Sequence, residues 1–514
     1  MDRNRIRGVL ALTAAAGLLL TGCGAGDSGR SKADNSTYPT GRPAPDYNNG
    51  NGTGEGEQKN NDENPESREF APAPDYLSTF ALDVDTASYG YARRTLAEGR
   101  LPDPSTVRPE EFVNSFRQDY DRPDGNGFSV TVDGARTADE NWSLLRVGLA
   151  TRPAAESGER APAALTFVID ISGSMAEPGR LDLAKESLDV MTDRLRDDDS
   201  VAIVTFSDEA ERVLPMTRLG GNREEIHEAI ATLEPTDSTN LGAGVETGYE
   251  TAVEGLREGA TNRVVLVSDA LANTGDTDPD TILERIASER REHGITLFGV
   301  GVGSDYGDAL MERLADRGDG HTAYVSTSDE AHELFCEDLP RNIDLTARDA
   351  KAQIAFDPAT VSDFRLIGYD NREVADEDFR DDSVDGGEVG PGHTVTALYA
   401  VHTRPGAEGH LATANVRWLD PASRAPHEES GRLETGSLRP SVWAASPRFQ
   451  VTATAAYLAD ALRGGASSWE PLPGRTSLAQ LAERAERLAT RTEDREVRDL
   501  AAAIRAAGGL TPQG

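Results

Sequence analysis

The period of the apolar residues changes several times along the chain, and each change predicts a different kind of element. Residues 9–20 are uncharged and mainly apolar, and they follow Arg3, Arg5 and Arg7. From residue 24 to 75 aliphatic side chains almost vanish among Gly, Asn, Pro, Ser and charged residues, so this stretch lacks the apolar surface needed to fold. Alternation over 78–85 predicts a strand, followed by a helix over 86–98, a short helix opening at Pro109, and strands at 128–132 and 144–150. Residues 76–160 therefore read as a small α+β segment. Four unbroken Val/Ile/Leu-rich runs come next, at 164–169, 201–206, 263–268 and 296–302. Continuous apolarity marks strands covered on both faces. Helical periods at 181–196, 224–233, 242–256 and 280–292 alternate with them. Residues 161–340 are thus expected to form an open, doubly wound, mainly parallel α/β domain, with its site beyond the C-terminal strand ends. Beyond residue 341 the period returns to two, at 351–356, 363–368, 394–403 and 411–417. Three amphipathic helices close the chain, marked by Val451, Ala455, Leu458 and Leu462, then Leu478, Leu481, Ala485 and Leu488, then Val497, Leu500 and Ile504. Residues 341–510 read as a β-rich plus three-helix region.

Charge narrows the functional classes. With 89 acidic against 52 basic residues and a formal net charge of -37, the chain is not built to neutralise phosphates or anionic lipid, and nucleic acid is not an expected partner. Lys32, Lys59, Lys185 and Lys351 are its only lysines, and none follows a glycine. A P-loop is therefore absent, and no nucleotide is expected.

The N-terminal pattern of arginines, a short apolar run and Leu20-Thr21-Gly22-Cys23 reads as a secretory signal too short to span a bilayer. Its last four residues resemble the bacterial lipobox, which implies cleavage before Cys23 and lipidation of that thiol. The expected localisation is extracytoplasmic, with the membrane reached through the lipid alone. Residues 24–75 then serve as a tether with an end-to-end distance of roughly 40 Å. If Cys23 is lipidated, Cys336 has no intramolecular disulfide partner, and Leu334-Phe335-Cys336 reads as a buried helical segment.

The candidate chemistry lies at the ends of the buried strands. Asp170-Ile171-Ser172-Gly173-Ser174 closes the run 164–169 with a carboxylate and two hydroxyls on a turning loop. Oxygen donors of this kind suit Mg²⁺ or Ca²⁺, although Asp and Ser in such loops also serve as turn residues and helix caps. Asp237-Ser238-Thr239-Asn240 precedes the helix expected at 242–256, and Val267-Ser268-Asp269 ends a second buried strand with a carboxylate. Three loops therefore converge on one sheet edge.

In order and spacing these segments resemble von Willebrand factor type A domains, whose metal-ion-dependent adhesion site has the form Asp-x-Ser-x-Ser, then Thr, then Asp. The resemblance implies a Rossmann-like domain in which Asp170, Ser172, Ser174, Thr239 and Asp269 hold Mg²⁺, with Ca²⁺ or Mn²⁺ as alternatives. An open coordination position would then await the carboxylate of a protein partner. Ala270 stands where that family often has glycine. Residues 78–89 and 107–111, with 365–372 and 390–399, further resemble the flanking segments of a bacterial lipoprotein family carrying a central type A domain.

Rival sites are weaker. The acidic run Asp381-Asp382-Ser383-Val384-Asp385-Gly386 has Gly392 where an EF-hand needs glutamate, so it reads as a solvated turn. The histidines lack zinc spacing, and His393 sits in a glycine-rich turn. Ser174 is not in a nucleophile elbow, and Asp83 and Asp85 read as cap residues. No enzymatic activity is expected. The leading expectation is a lipid-anchored binding protein whose metal meets an acidic residue of an envelope partner. Two alternatives are a type A subunit assisting an AAA+ ATPase as chaperone or insertion factor, and an envelope scaffold with a purely structural metal.

Overall fold

The computed structural model of the chain describes residues 76–82, 86–125, 127–153, 160–236, 238–269, 281–282, 284, 286, 292–302, 322–325, 327–335, 345–370, 372–382, 384, 386–421, 423–464 and 470–511. Cys23 and the tether, Asp83, Asp85, Asp237, Ala270, Cys336, Asp385 and most of the helix expected at 280–292 lie outside the described residues.

The strand Ala163–Asp170 is central to a six-stranded sheet, paired in parallel with Ser200–Phe206 on one side and Thr261–Ser268 on the other. Its side chains alternate between two cores. Leu165, Phe167 and Ile169 join one cluster, while Val168 joins Val204, Val264 and Leu266 in the other. Both faces are covered, which is why the sequence shows an unbroken apolar run instead of alternation. Thr296–Val302 and Thr322–Val325 continue the sheet in parallel. Leu181–Arg194 and Arg223–Ala231 cover one face through Leu188, Met191, Ile226 and Ile230. Leu241–Glu254 covers the other through Val245 and Tyr249. This is the doubly wound α/β architecture expected for the centre of the chain.

The opposite edge strand, Ala210–Arg218, pairs antiparallel with Ser200–Phe206 and was not legible as a strand. Only Leu214 of its side chains is fully buried and Pro215 interrupts the pattern, so it carries neither the apolar run nor a clean alternation.

The segments before and after this unit are interleaved. Leu77–Ala81 pairs antiparallel with Ala347–Phe356, in a sheet completed by Gly387–Val389, His410–Leu419 and Pro426–Glu434. A second sheet has Trp142–Thr151 between Phe128–Arg136 and Thr394–Thr403, with Val361–Leu366 at its edge. Phe80, Leu145, Val147, Ile354, Phe356, Tyr399 and Val416 pack between the sheets. The helices Pro447–Arg463, Leu478–Thr492 and Arg495–Leu510 share a further core with the N-terminal helices Ala87–Ala97 and Pro109–Asn114. The α/β unit is therefore an insertion between two halves of a mixed body. Pro426–Glu434 also carries no strand period in the sequence, because its residues are nearly all exposed and polar.

The acidic turn near residue 381 is balanced by side-chain cations. Lys351, almost fully buried, donates from Nζ to the Asp381 carbonyl at 2.6 Å, and Arg417 pairs with Asp382 at 2.8 Å. Among the described residues no helix is long and apolar enough to cross a membrane.

Candidate metal centre

Asp170 is the last residue of its strand and is fully buried. Its Oδ1 accepts from the Ser172 backbone N–H at 2.8 Å, and its Oδ2 accepts from the Ser268 hydroxyl at 2.5 Å. The first bond curls the loop back on itself, so that Ser172 leads into the short 3₁₀ turn Gly173–Ala176. The Ser172 and Ser174 hydroxyl oxygens then lie 3.1 Å apart. Three oxygen donors predicted from the motif are therefore brought together by local hydrogen bonding.

Thr239 arrives from the other side of the strand. The loop that carries it is tied down twice, by Thr236 N–H donating to the Ile171 carbonyl and Asn240 N–H donating to the Ser207 carbonyl, both at 2.6 Å. Thr239 is buried between these ties. Asn240 caps the helix Leu241–Glu254 by accepting from Ala243 N–H at 3.2 Å. Two glycines let this helix approach the sheet closely: a Cβ on Gly248 would stand 2.3 Å from Val168 Cγ2, and one on Gly244 would stand 2.6 Å from the Phe206 ring. Those contacts hold the helix that follows Thr239 close against the sheet.

Asp269 follows the neighbouring strand Thr261–Ser268, and its side chain is excluded from solvent. It engages a residue the motif did not include. Arg180, whose side chain is 3% exposed, donates from Nη1 to Asp269 Oδ2 at 2.6 Å and to the Ser174 carbonyl at 3.0 Å. Its Nη2 meets Glu177 at 3.0 Å, on the solvent side. The Asp182 carboxylate holds the backbone of this turn by accepting from Gly179 and Arg180 N–H, each at 2.9 Å. Arg180 thus bridges the first and third loops. Ser268 is the other contributor not anticipated; both are adjacent in sequence to recognised elements, but neither belongs to the spacing that marked the site.

The electrostatics favour a cation. Burial holds the Asp170 carboxyl above its ordinary pKa, opposed by the hydrogen bonds from Ser268 and Ser172, and the negative charge of Asp269 raises it further. The two buried carboxylates stand near each other, and Arg180 pairs with one of them. Among the described residues, no group of three or more His, Cys, Asp or Glu side chains is placed to hold a metal. On the motif's spacing, the residues that would hold a metal here are Asp170, Asp269 and the hydroxyl-bearing Ser172, Ser174 and Thr239. An all-oxygen set with few charges fits a hard divalent ion such as Mg²⁺, Ca²⁺ or Mn²⁺ and does not suit zinc or copper.

The profile of the von Willebrand factor type A domain matches residues 164–337, a von Willebrand factor profile matches residues 56–146, and the profile "Uncharacterized protein YfbK, C-terminal" matches residues 342–499. The chain is 35% identical over 440 residues to the uncharacterized protein YfbK of Escherichia coli strain K12, covering 80% of this chain and 75% of YfbK. It is 28% identical over 205 residues to the uncharacterized protein sll0103 of Synechocystis, covering 39% of this chain and 47% of that one. Human inter-alpha-trypsin inhibitor heavy chain H3 is 25% identical over 216 residues, which is 40% of this chain and 24% of that protein. Among solved structures, a von Willebrand factor type A protein from Catenulispora acidiphila aligns with a TM-score of 0.47 at 16% identity, over 73% of this chain and 89% of that one.

Proposed function

The chain belongs to the YfbK-like family of bacterial proteins with a von Willebrand factor type A domain, and from that premise we propose that it is a lipid-anchored, extracytoplasmic binding protein that docks an acidic residue of an envelope protein on a divalent metal. The type A family suggests a role in protein interaction or adhesion. The observation that carries the finer reading is the joining of Asp170, Ser172 and Ser174 at the end of one buried strand with Asp269 at the end of its neighbour. A bound divalent ion would supply a Lewis-acidic position for an incoming carboxylate, and hydroxyl donors leave more of its charge unmet than carboxylates would.

The chain's own residues prepare this arrangement. Ser268 orients the Asp170 carboxylate, the short turn at Gly173–Ala176 presents the two serine hydroxyls, and the paired loop ties fix Thr239. The constellation offers a binding position without an activated nucleophile or a paired general acid and base, so it is read as a receptor and not an enzyme. The proposed extracytoplasmic anchoring rests on the N-terminal arginines, the short apolar run and Leu20-Thr21-Gly22-Cys23.

Affinity capture from intact envelopes in Mg²⁺ tests the reading. The native chain is expected to retain a protein partner that is lost in EDTA and with Asp170→Ala. A partner retained under both conditions would overturn metal-bridged docking.

A further inference from the structure

Thr239 is the one residue of the motif placed by a loop instead of a strand end or its adjoining turn. The stretch from Thr236 to Asn240 is pinned at both ends. Thr236 N–H donates to the Ile171 carbonyl and Asn240 N–H to the Ser207 carbonyl, each at 2.6 Å, while Ile171 N–H donates to the Phe206 carbonyl at 3.0 Å. These three bonds close a ring that runs from the end of the strand Ala163–Asp170, through the end of Ser200–Phe206, to Asn240 and back. Thr239 sits in that ring and is buried.

The side chain of Asn240 reinforces the second pin and works in two directions at once. Its Oδ1 accepts from Ala243 N–H at 3.2 Å and caps the helix Leu241–Glu254, while its Nδ2 donates to the Asp208 carbonyl at 3.2 Å. The second bond reaches the turn Ser207-Asp208-Glu209, whose last two residues are exposed and which is closed by Ser207 N–H donating to the Glu209 carbonyl at 3.0 Å. Ser, Thr, Asp and Asn all cap helices, but an ionised Asp has no donor and a hydroxyl has one oxygen for both tasks. Capping is met by any of the four; the bond to Asp208 together with the cap is met by the amide.

We propose that Asn240 is a positioning residue of the metal centre: its side-chain amide ties the turn 207–209 to the loop of Thr239 and so fixes the Thr239 hydroxyl for the metal. This rests on reading the cluster as a metal centre. It adds a fourth loop, which supplies no ligand, to the three that do. It also separates two roles of one side chain, a cap that serves the helix and an amide bond that serves the site.

Mn²⁺ serves as the probe. Its dissociation constant is measured by electron paramagnetic resonance titration, and stability by thermal melts, on the native chain, Asn240→Ser and Asn240→Ala. Serine keeps a capping oxygen and loses the bond to Asp208, so Asn240→Ser is expected to melt close to native and to bind Mn²⁺ about threefold to tenfold more weakly. Asn240→Ala, which loses both bonds, is expected to weaken Mn²⁺ binding by a similar factor and to melt lower as well. Ser477→Ala, which removes the cap of the helix Leu478–Thr492 in the surrounding body, is expected to lower the melting temperature and leave Mn²⁺ binding unchanged. In a Thr239→Ala background, adding Asn240→Ser is expected to alter Mn²⁺ affinity by less than about twofold, because the hydroxyl it positions is gone. Native affinity in Asn240→Ser, or an equal loss with and without Thr239, would overturn the proposal and leave the metal reading intact. Absence of Mn²⁺ binding to the native chain would overturn both.

Discussion

Arg263 donates from Nη2 to Glu388 Oε2 at 2.9 Å, and this buried pair joins the inserted α/β unit to the body that surrounds it. Arg263 also donates from Nε to Thr296 Oγ1 at 2.9 Å, clamping two adjacent parallel strands at their starts. The strand that begins beside Arg263 ends at Ser268, next to Asp269, so one element runs from the body to the candidate metal centre.

Removing Arg263 leaves the Glu388 carboxylate, itself mostly buried, with the longer contact to Arg348 Nε at 4.0 Å. Arg263→Met is expected to destabilise the chain by about 3–5 kcal/mol in urea denaturation, whereas Arg263→Met with Glu388→Leu recovers most of the loss. A single substitution within about 0.5 kcal/mol of native would show that the pair does not hold the insertion in place.

The helix Leu241–Glu254, beside the candidate metal centre, depends on Gly248. Alanine there improves helix propensity by up to about 1 kcal/mol, but its Cβ would stand 2.3 Å from Val168 Cγ2 on the strand that ends at Asp170. Overpacking of about 1–3 kcal/mol is expected to win, so Gly248→Ala is destabilising, and adding Val168→Ala restores stability. Thermal or urea melts of the single and double variants measure the outcome.

His227 fastens two helices of the α/β unit, with Nδ1 2.7 Å from Asp189 and Nε2 3.1 Å from Asp193. Its hydrogen bond to Asp189, aided by Asp193 and opposed by partial burial, raises its pKa above the ordinary histidine value. The stabilisation is therefore complete below about pH 6.5 and is lost as pH rises through the higher folded value. His227→Gln is expected to lower the melting temperature at pH 5.5 and to leave it nearly unchanged at pH 9, with less than about 1 kcal/mol at stake because the pair is exposed.

Asp199 shows the opposite dependence. Its side chain is fully buried and accepts from Arg160 and from the backbone N–H groups of Ala163 and Arg196. Burial pushes its pKa up, but the bonds from Arg160 and the two amides outweigh it and hold the carboxyl below its ordinary value. Its contribution is present above the unfolded pKa of about 3.9 and is lost as pH falls further. The stability difference between native and Asp199→Asn is therefore expected to be flat from pH 5 to 8 and to shrink in acid, as followed by urea denaturation.

The parts of the fold legible in the sequence were those whose burial leaves a periodic record. Ala163–Asp170 announced itself because both of its faces are covered, and Leu478–Thr492 because one face is. Ala210–Arg218 and Pro426–Glu434 left no such record, being edge strands with mostly solvated side chains. The pairing of Leu77–Ala81 with Ala347–Phe356 was also out of reach, since two alternating strands separated by the whole α/β unit do not name each other as partners. At the site, Asp170, Ser172 and Ser174 were legible because one loop supplies all three. Arg180 was not, because its role depends on a carboxylate that lies 89 residues away in sequence and meets it only in the fold.

The most direct test of the account is calorimetric titration of Mg²⁺, with Mn²⁺ as a second ion, into the folded chain. A single saturable site is expected, reversed by EDTA and weakened at least about tenfold in Asp170→Asn. No saturable binding to the native chain, or binding of equal strength to Asp170→Asn, would contradict it.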